Sequence, residues 1–91
     1  MKTLSNLSYV HRYSSNNRGL LTASTLAGCF YCLATFPSAA VERWTYEDPQ
    51  RPANTALCPR CGVDSVLPSP PVTLTKKFLA GMHKHWFRRS A

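Results

Sequence analysis

All four cysteines of the chain fall into two pairs of identical spacing, C-F-Y-C at residues 29–32 and C-P-R-C-G at residues 58–62. One turn of backbone with C-x-x-C spacing presents two sulfurs to one metal. Two such turns supply the four soft ligands of a tetrahedral zinc, so Cys29, Cys32, Cys58 and Cys61 are read as ligands of one Zn2+. Four thiolates close the coordination shell and leave no position for a catalytic water, which makes the expected zinc structural. The intervening stretch, residues 33–57, is longer than in many short zinc ribbons and has room for structure of its own.

Two disulfides or a redox dithiol are the rival uses of the same cysteines. The first ten residues carry one Lys and no continuous apolar run. No secretory signal is read there, and a chain kept in the cytoplasm has reduced thiols, which favours metal. No stretch approaches the roughly 20 apolar residues of a membrane span. Residues 20–40 come nearest, but Thr22, Ser24, Thr25, Pro37 and Ser38 interrupt them.

At 91 residues the chain is expected to form one domain, with residues 1–8 flexible, a zinc core at 29–61 and a C-terminal helix at 74–89. A core of this size is marginal without a metal or cross-links. The formal charge of +7 is uneven: +3 over residues 1–28, zero over 29–61 and +4 over 62–91. Zinc with four thiolates adds about −2 to the middle. A neutral to acidic centre flanked by basic ends suits a polyanion contact at the ends, or plain solubility.

Residues 11–19, H-R-Y-S-S-N-N-R-G, are rich in turn formers and read as a loop. Residues 20–27 fit a short helix or a strand equally well. Gly28 is expected where the backbone approaches the metal. Residues 36–44 read as a two-turn helix with Pro37 in its first turn, placing Trp44 under the zinc site. Residues 46–54 read as an exposed loop. Residues 55–57 read as a strand leading into the second pair, and residues 62–67 as its return strand. Pro68, Pro70 and Pro71 form a stiff break. After it, Phe78, Leu79, Met82 and Trp86 make an apolar stripe at helical spacing, with Phe87 beside it. The expected fold is α+β, a small zinc-ribbon or treble-clef-like domain with a C-terminal amphipathic helix.

Lys77, Lys84 and Arg88 share the other helical face, with Arg89 next to them. They are either a phosphate-binding stripe or the solvated side of an amphipathic helix. The loop residues His11, Asn17 and Arg18 are either a surface turn or a polar site for phosphate or a partner's backbone. Tyr9, Tyr13 and Tyr31 would stack on bases if exposed. His83 and His85 do not share a helical face. The chain has no paired-carboxylate or nucleophile–base signature, no phosphate loop and no H-E-x-x-H.

Several segments together resemble a family of small bacterial and phage-borne proteins described as cytoplasmic or zinc-binding. These are H-x-x-x-x-N-N-R at residues 11–18, G-C-F-Y-C, F-P-S with V-E-R-W, T-A-L-C-P-R-C-G-V-D-S-V at residues 55–66, and M-H-K-H-W-F at residues 82–87. The resemblance covers residues 11–87 and implies a cytoplasmic zinc protein. It marks His11, Arg18, Trp44, Asp64, Ser65, Trp86 and Phe87 as pattern positions. The order C-x-x-C, helix, C-x-x-C is also similar to the zinc frame of HNH-type nucleases. Their Asp-His pair is missing, however: the region reads W-T-Y-E-D, and no His lies between residues 12 and 82.

The function expected from these features is a non-enzymatic, zinc-stabilised binding module. Its favoured partner is nucleic acid, engaged by His11, Asn17, Arg18, Lys77, Lys84, Arg88 and Arg89. The alternatives are a phage or mobile-element protein that binds and inhibits or retargets a host protein complex, and a nuclease using His11 as base.

Overall fold

The computed structural model describes residues 7–46, 50 and 52–87. The architecture follows from β1 (Leu26–Cys29), which pairs antiparallel on both sides, with β2 (Thr35–Pro37) and with β5 (Val66–Ser69). Gly28 lies opposite Thr35 in β2 and Leu67 in β5, and Cys29 lies opposite Val66. Successive side chains point to opposite faces of a strand. Accordingly Ala27, Cys29 and Val66 enter one apolar cluster with Leu21, Phe36, Val41, Ala56 and Cys58, while Phe30 and Leu67 enter a second with Val10, Val72, Leu79 and Met82. The sheet is thus buried on both faces along β1 and β5, while Leu26, Thr35 and Pro37 are exposed at its β2 side, and the chain is α+β.

Helices cover the two faces. On the second-cluster side lies α3 (Lys76–Trp86), started by Thr75, whose side-chain oxygen accepts a hydrogen bond from the Phe78 N–H at 3.0 Å. Its expected apolar stripe is in place. Leu79 and Met82 are fully buried, with Phe78 and Trp86 packed on the same cluster. The helix begins at Lys76 rather than 74, because the cap at Thr75 sets its start. Residues 88–91 lie outside the described residues. Gly28 serves α3 rather than the metal: a side chain there would meet Leu74 and Leu79 at 3.3 Å. The first cluster is covered by α2 (Arg18–Ala23) and by the pair β3 (Trp44–Thr45) and β4 (Thr55–Ala56). Among the described residues, no helix is long and apolar enough to cross a membrane.

Three expectations are corrected. Residues 36–44 are not a helix. Pro37 holds Phe36 in extended backbone, β2 pairs with β1, and only a 3-10 turn at Ser38–Ala40 follows before Trp44 joins β3. Residues 11–19 are not a loop: α1 (Leu7–Val10) runs into a 3-10 helix at His11–Ser14, and α2 begins at Arg18. That also places residues 7 and 8 in a helix, while 1–6 lie outside the described residues. Residues 62–67 do not return along β4. They cross to the larger sheet, and β5 reaches as far as Ser69 with Pro68 inside it. An edge strand tolerates Pro68, since its missing N–H leaves no ladder bond unmade on the open side.

Candidate metal centre

Each cysteine pair is built by the same local geometry. In the first, the Leu33 N–H donates to the Cys29 carbonyl, the Cys29 N–H donates to the Ala34 carbonyl, each at 2.9 Å, and the Tyr31 N–H points at the Cys29 sulfur at 3.3 Å. In the second, Gly62 donates to Cys58, Cys58 donates to Val63, each at 2.9 Å, and the Arg60 N–H points at the Cys58 sulfur at 3.3 Å. Both turns close through a residue with positive φ, Leu33 at 65° and Gly62 at 81°. Glycine adopts this conformation freely. Leucine adopts it at a cost of about 1–2 kcal/mol, and here Leu33 packs on the second cluster.

The two turns face each other. The sulfurs of Cys29 and Cys61 are 3.6 Å apart, those of Cys32 and Cys58 3.7 Å, and all four lie within 4.8 Å of one another. A tetrahedron with zinc–sulfur bonds of about 2.3 Å has edges of about 3.8 Å, so the donor set and its spacing fit one zinc. A disulfide needs about 2.05 Å, and all four cysteines are free thiols. Cys29 and Cys58 are fully buried, Cys61 is half-buried and Cys32 is exposed, so the centre sits at the edge of the core. Burial pushes the Cys29 thiol well above its ordinary pKa, and the Cys61 thiol upward as well. At Cys58 burial acts the same way but is outweighed by the N–H groups of Arg60 and Cys61 and by the neighbouring thiols, and the net shift is downward. Backbone N–H groups aimed at Cys29 and Cys58 are the donors that steady a metal-bound thiolate.

Of the other expected site residues, His11, Asn17, Arg18, Lys77 and Lys84 are described, and they sit on the N-terminal helical segment and on α3. Asn17 is fully buried. Its amide donates to the Tyr13 carbonyl at 2.9 Å and the Val66 carbonyl at 2.8 Å, and its oxygen accepts from the Ala56 N–H at 3.0 Å. Asn17 is therefore a brace between the helical N-terminal segment, β4 and β5, and is not available to a partner. Arg18 is exposed, with its guanidinium 4.7 Å over the Trp44 ring. Trp44 packs on the first cluster, which includes Cys29 and Cys58, so it neighbours the centre from a strand rather than from a helix. His11 lies on the opposite cluster, its ring stacked 4.0 Å from Trp86. Lys77 and Lys84 are exposed on α3, and Arg88 and Arg89 lie outside the described residues.

Two groupings bring together residues that no spacing in the sequence joins, although the resemblance marks the members of the second as pattern positions. The first joins the aromatic residues of the first cysteine turn to the end of α3. Tyr31 meets Phe87 edge-on at 5.0 Å and His83 at 5.7 Å, and Phe30 lies 5.5 Å from Phe87. The His83 Nδ1 stands 3.2 Å from the Phe30 carbonyl. A carbonyl only accepts, so that nitrogen carries the proton. The second grouping brings His11, Asp64, Ser65, Trp86 and Phe87 to one cavity of about 220 Å³. These groupings join segments remote from one another in the chain, which no local spacing rule reaches. Compared with protein-family models, with curated proteins and with solved structures, the chain matches none.

Proposed function

We propose that the chain is a non-enzymatic binding module, folded as a ribbon-like pair of cysteine turns around one structural zinc, with single-stranded nucleic acid as its partner. The observation that carries the partner is the aromatic surface beside the first turn. Tyr31 is 45% and Phe87 38% exposed, and the two rings meet at 5.0 Å next to His83. Exposed rings give bases a stacking platform worth about 1–3 kcal/mol per base. Lys84 is exposed on the same stretch of helix, and the final third of the chain carries +4. Lys77 and Lys84 stand seven residues apart on α3 and so share a helical face that would meet phosphates. A treble clef is disfavoured because β5, not a helix, follows the second cysteine turn.

Fluorescence anisotropy with a short single-stranded oligomer tests the reading. Binding is expected to weaken steeply between about 50 and 200 mM salt. Tyr31→Ala with Phe87→Ala is expected to lose at least about tenfold in affinity, and Lys77→Glu with Arg88→Glu to abolish binding. Nanomolar binding indifferent to both pairs contradicts the reading. A nuclease based on His11 predicts strand cleavage with added magnesium or manganese, which the binding module does not.

A second reading rests on the Arg18–Trp44 stack. It borders a separate hollow of about 390 Å³ with Leu21, Thr22 and Val41. Arg and Trp side chains are frequent anchors of protein interfaces, and here Arg18 is exposed and Trp44 half-buried. A partner in a host complex would engage this face. A single stoichiometric protein in a pull-down, lost with Arg18→Ala and Trp44→Ala, favours it over nucleic acid.

A further inference from the structure

We infer that the cavity between the His11–Ser14 turn, the Asp64–Ser65 corner and the end of α3 is a pocket that reads a guanine base in a single strand. The inference rests on the nucleic-acid reading above and assigns that surface its base preference. The cavity continues from the aromatic surface, because Phe87 belongs to both. Its volume of about 220 Å³ is below the roughly 300 Å³ at which pockets begin to take drug-sized ligands. It has room for one ring system and leaves sugar and phosphate outside. The walls are aromatic: His11 is stacked on Trp86 at 4.0 Å, and Phe87 stands 5.5 Å from the buried Phe30. Phe87 remains partly exposed, as a stacking partner must be.

Asp64 supplies the charge, beside the hydroxyl-bearing Ser14, Ser15 and Ser65 of the same lining. It is an exposed carboxylate on the rim of this cavity, and it is the one acid in residues 62–91. Among the described residues no hydrogen bond or ion pair engages it. A carboxylate on a phosphate-binding surface opposes phosphate, so it adds nothing to general affinity. What it does is accept hydrogen bonds from a base. An ionised carboxylate is acceptor-only and takes two donors side by side. The Watson–Crick edge of guanine offers that pattern, N1–H next to the N2 amino group. Adenine and cytosine each set one amino donor beside a bare ring nitrogen, whose lone pair would face a carboxylate oxygen. Thymine and uracil set one donor between two carbonyls. Single strands expose these edges, and stacked bases are read there.

The test uses the full-length, metal-loaded protein and thymine-tract oligomers that differ in one central residue: deoxyguanosine, deoxyinosine, deoxyadenosine, deoxycytidine or thymidine. Anisotropy titrations are expected to favour the deoxyguanosine oligomer by about tenfold over the thymidine one. Deoxyinosine, which lacks the N2 amino group, is expected to lose most of that advantage. Asp64→Asn is expected to erase the preference while binding of the plain thymine tract stays equal or tightens, because a negative charge is removed. Asp64 is exposed, and unchanged zinc content and melting temperature check that the variant is folded. Equal affinity for all five oligomers overturns the guanine pocket and leaves the nucleic-acid reading standing. A guanine preference that survives Asp64→Asn also overturns it. Failure of every oligomer to bind removes both.

Discussion

At the scale of single residues, Asn17 shows how a polar side chain can be structural. Two of its three side-chain hydrogen bonds reach segments 39 and 49 residues away in sequence, and the side chain is fully buried. Its neighbours extend the seam: the Asn16 N–H donates to the Thr55 hydroxyl at 2.8 Å and the Arg18 N–H to the Asn54 carbonyl at 3.0 Å. The strand that leads into the second cysteine turn is held by this seam. Asn17→Ala leaves the Val66 carbonyl and the Ala56 N–H buried without partners, at about 1–3 kcal/mol each. Urea unfolding of the metal-loaded protein is expected to show a loss of roughly 2–4 kcal/mol, with Asn17→Asp also destabilising because a carboxylate cannot donate. A nucleic-acid affinity defect with unchanged stability would contradict the brace. Nothing in S-S-N-N-R-G reveals this role. Turn formers signal a loop by composition, and the partners that bury Asn17 are remote. The cysteine cluster is the opposite case. The spacing of Cys29 with Cys32 and of Cys58 with Cys61 is a local property, so a four-sulfur cluster was legible in the sequence.

At the scale of elements, legibility followed the length of the pattern. The stripe of Phe78, Leu79, Met82 and Trp86 spans more than two turns, and α3 packs by it. The segment at 36–44 carried helix formers, yet pairing of Thr35–Pro37 with β1 took precedence over propensity. The pairing of β5 with β1 rather than β4 was out of reach, because strand order is a tertiary fact. Thr75 marks where α3 begins. It is exposed, so its contribution is almost purely the cap. Thr75→Ala is expected to lower stability by about 1 kcal/mol, with Thr75→Ser near neutral, as read by thermal or urea unfolding. An Ala variant as stable as the parent would show that the cap does not set the start of α3.

At the scale of the whole molecule, the cysteine centre joins the two halves. Cys29 ends the central strand, Cys58 follows β4, and their turns face each other with Cys29 3.6 Å from Cys61 and Cys32 3.7 Å from Cys58, sulfur to sulfur. Structural zinc contributes about 10–16 kcal/mol of apparent binding free energy at pH 7 in small zinc-finger peptides. The total stability of a domain is about 5–15 kcal/mol, so a zinc held by these four cysteines would contribute as much as the fold's whole margin. Stripping the metal with a chelator at neutral pH is therefore expected to unfold the chain, seen as loss of α3 and of near-ultraviolet dichroism from Trp44 and Trp86. Thiols must lose protons to bind metal, and the buried Cys29 holds its proton firmly. Zinc affinity is accordingly expected to fall as the pH is lowered.

The most direct test of the central claim is X-ray absorption at the zinc edge of the purified, metal-loaded protein. A single shell of four sulfurs at about 2.3 Å is expected. A mixed shell with nitrogen or oxygen ligands would contradict it, as would a protein that binds no zinc and carries its four cysteines as disulfides.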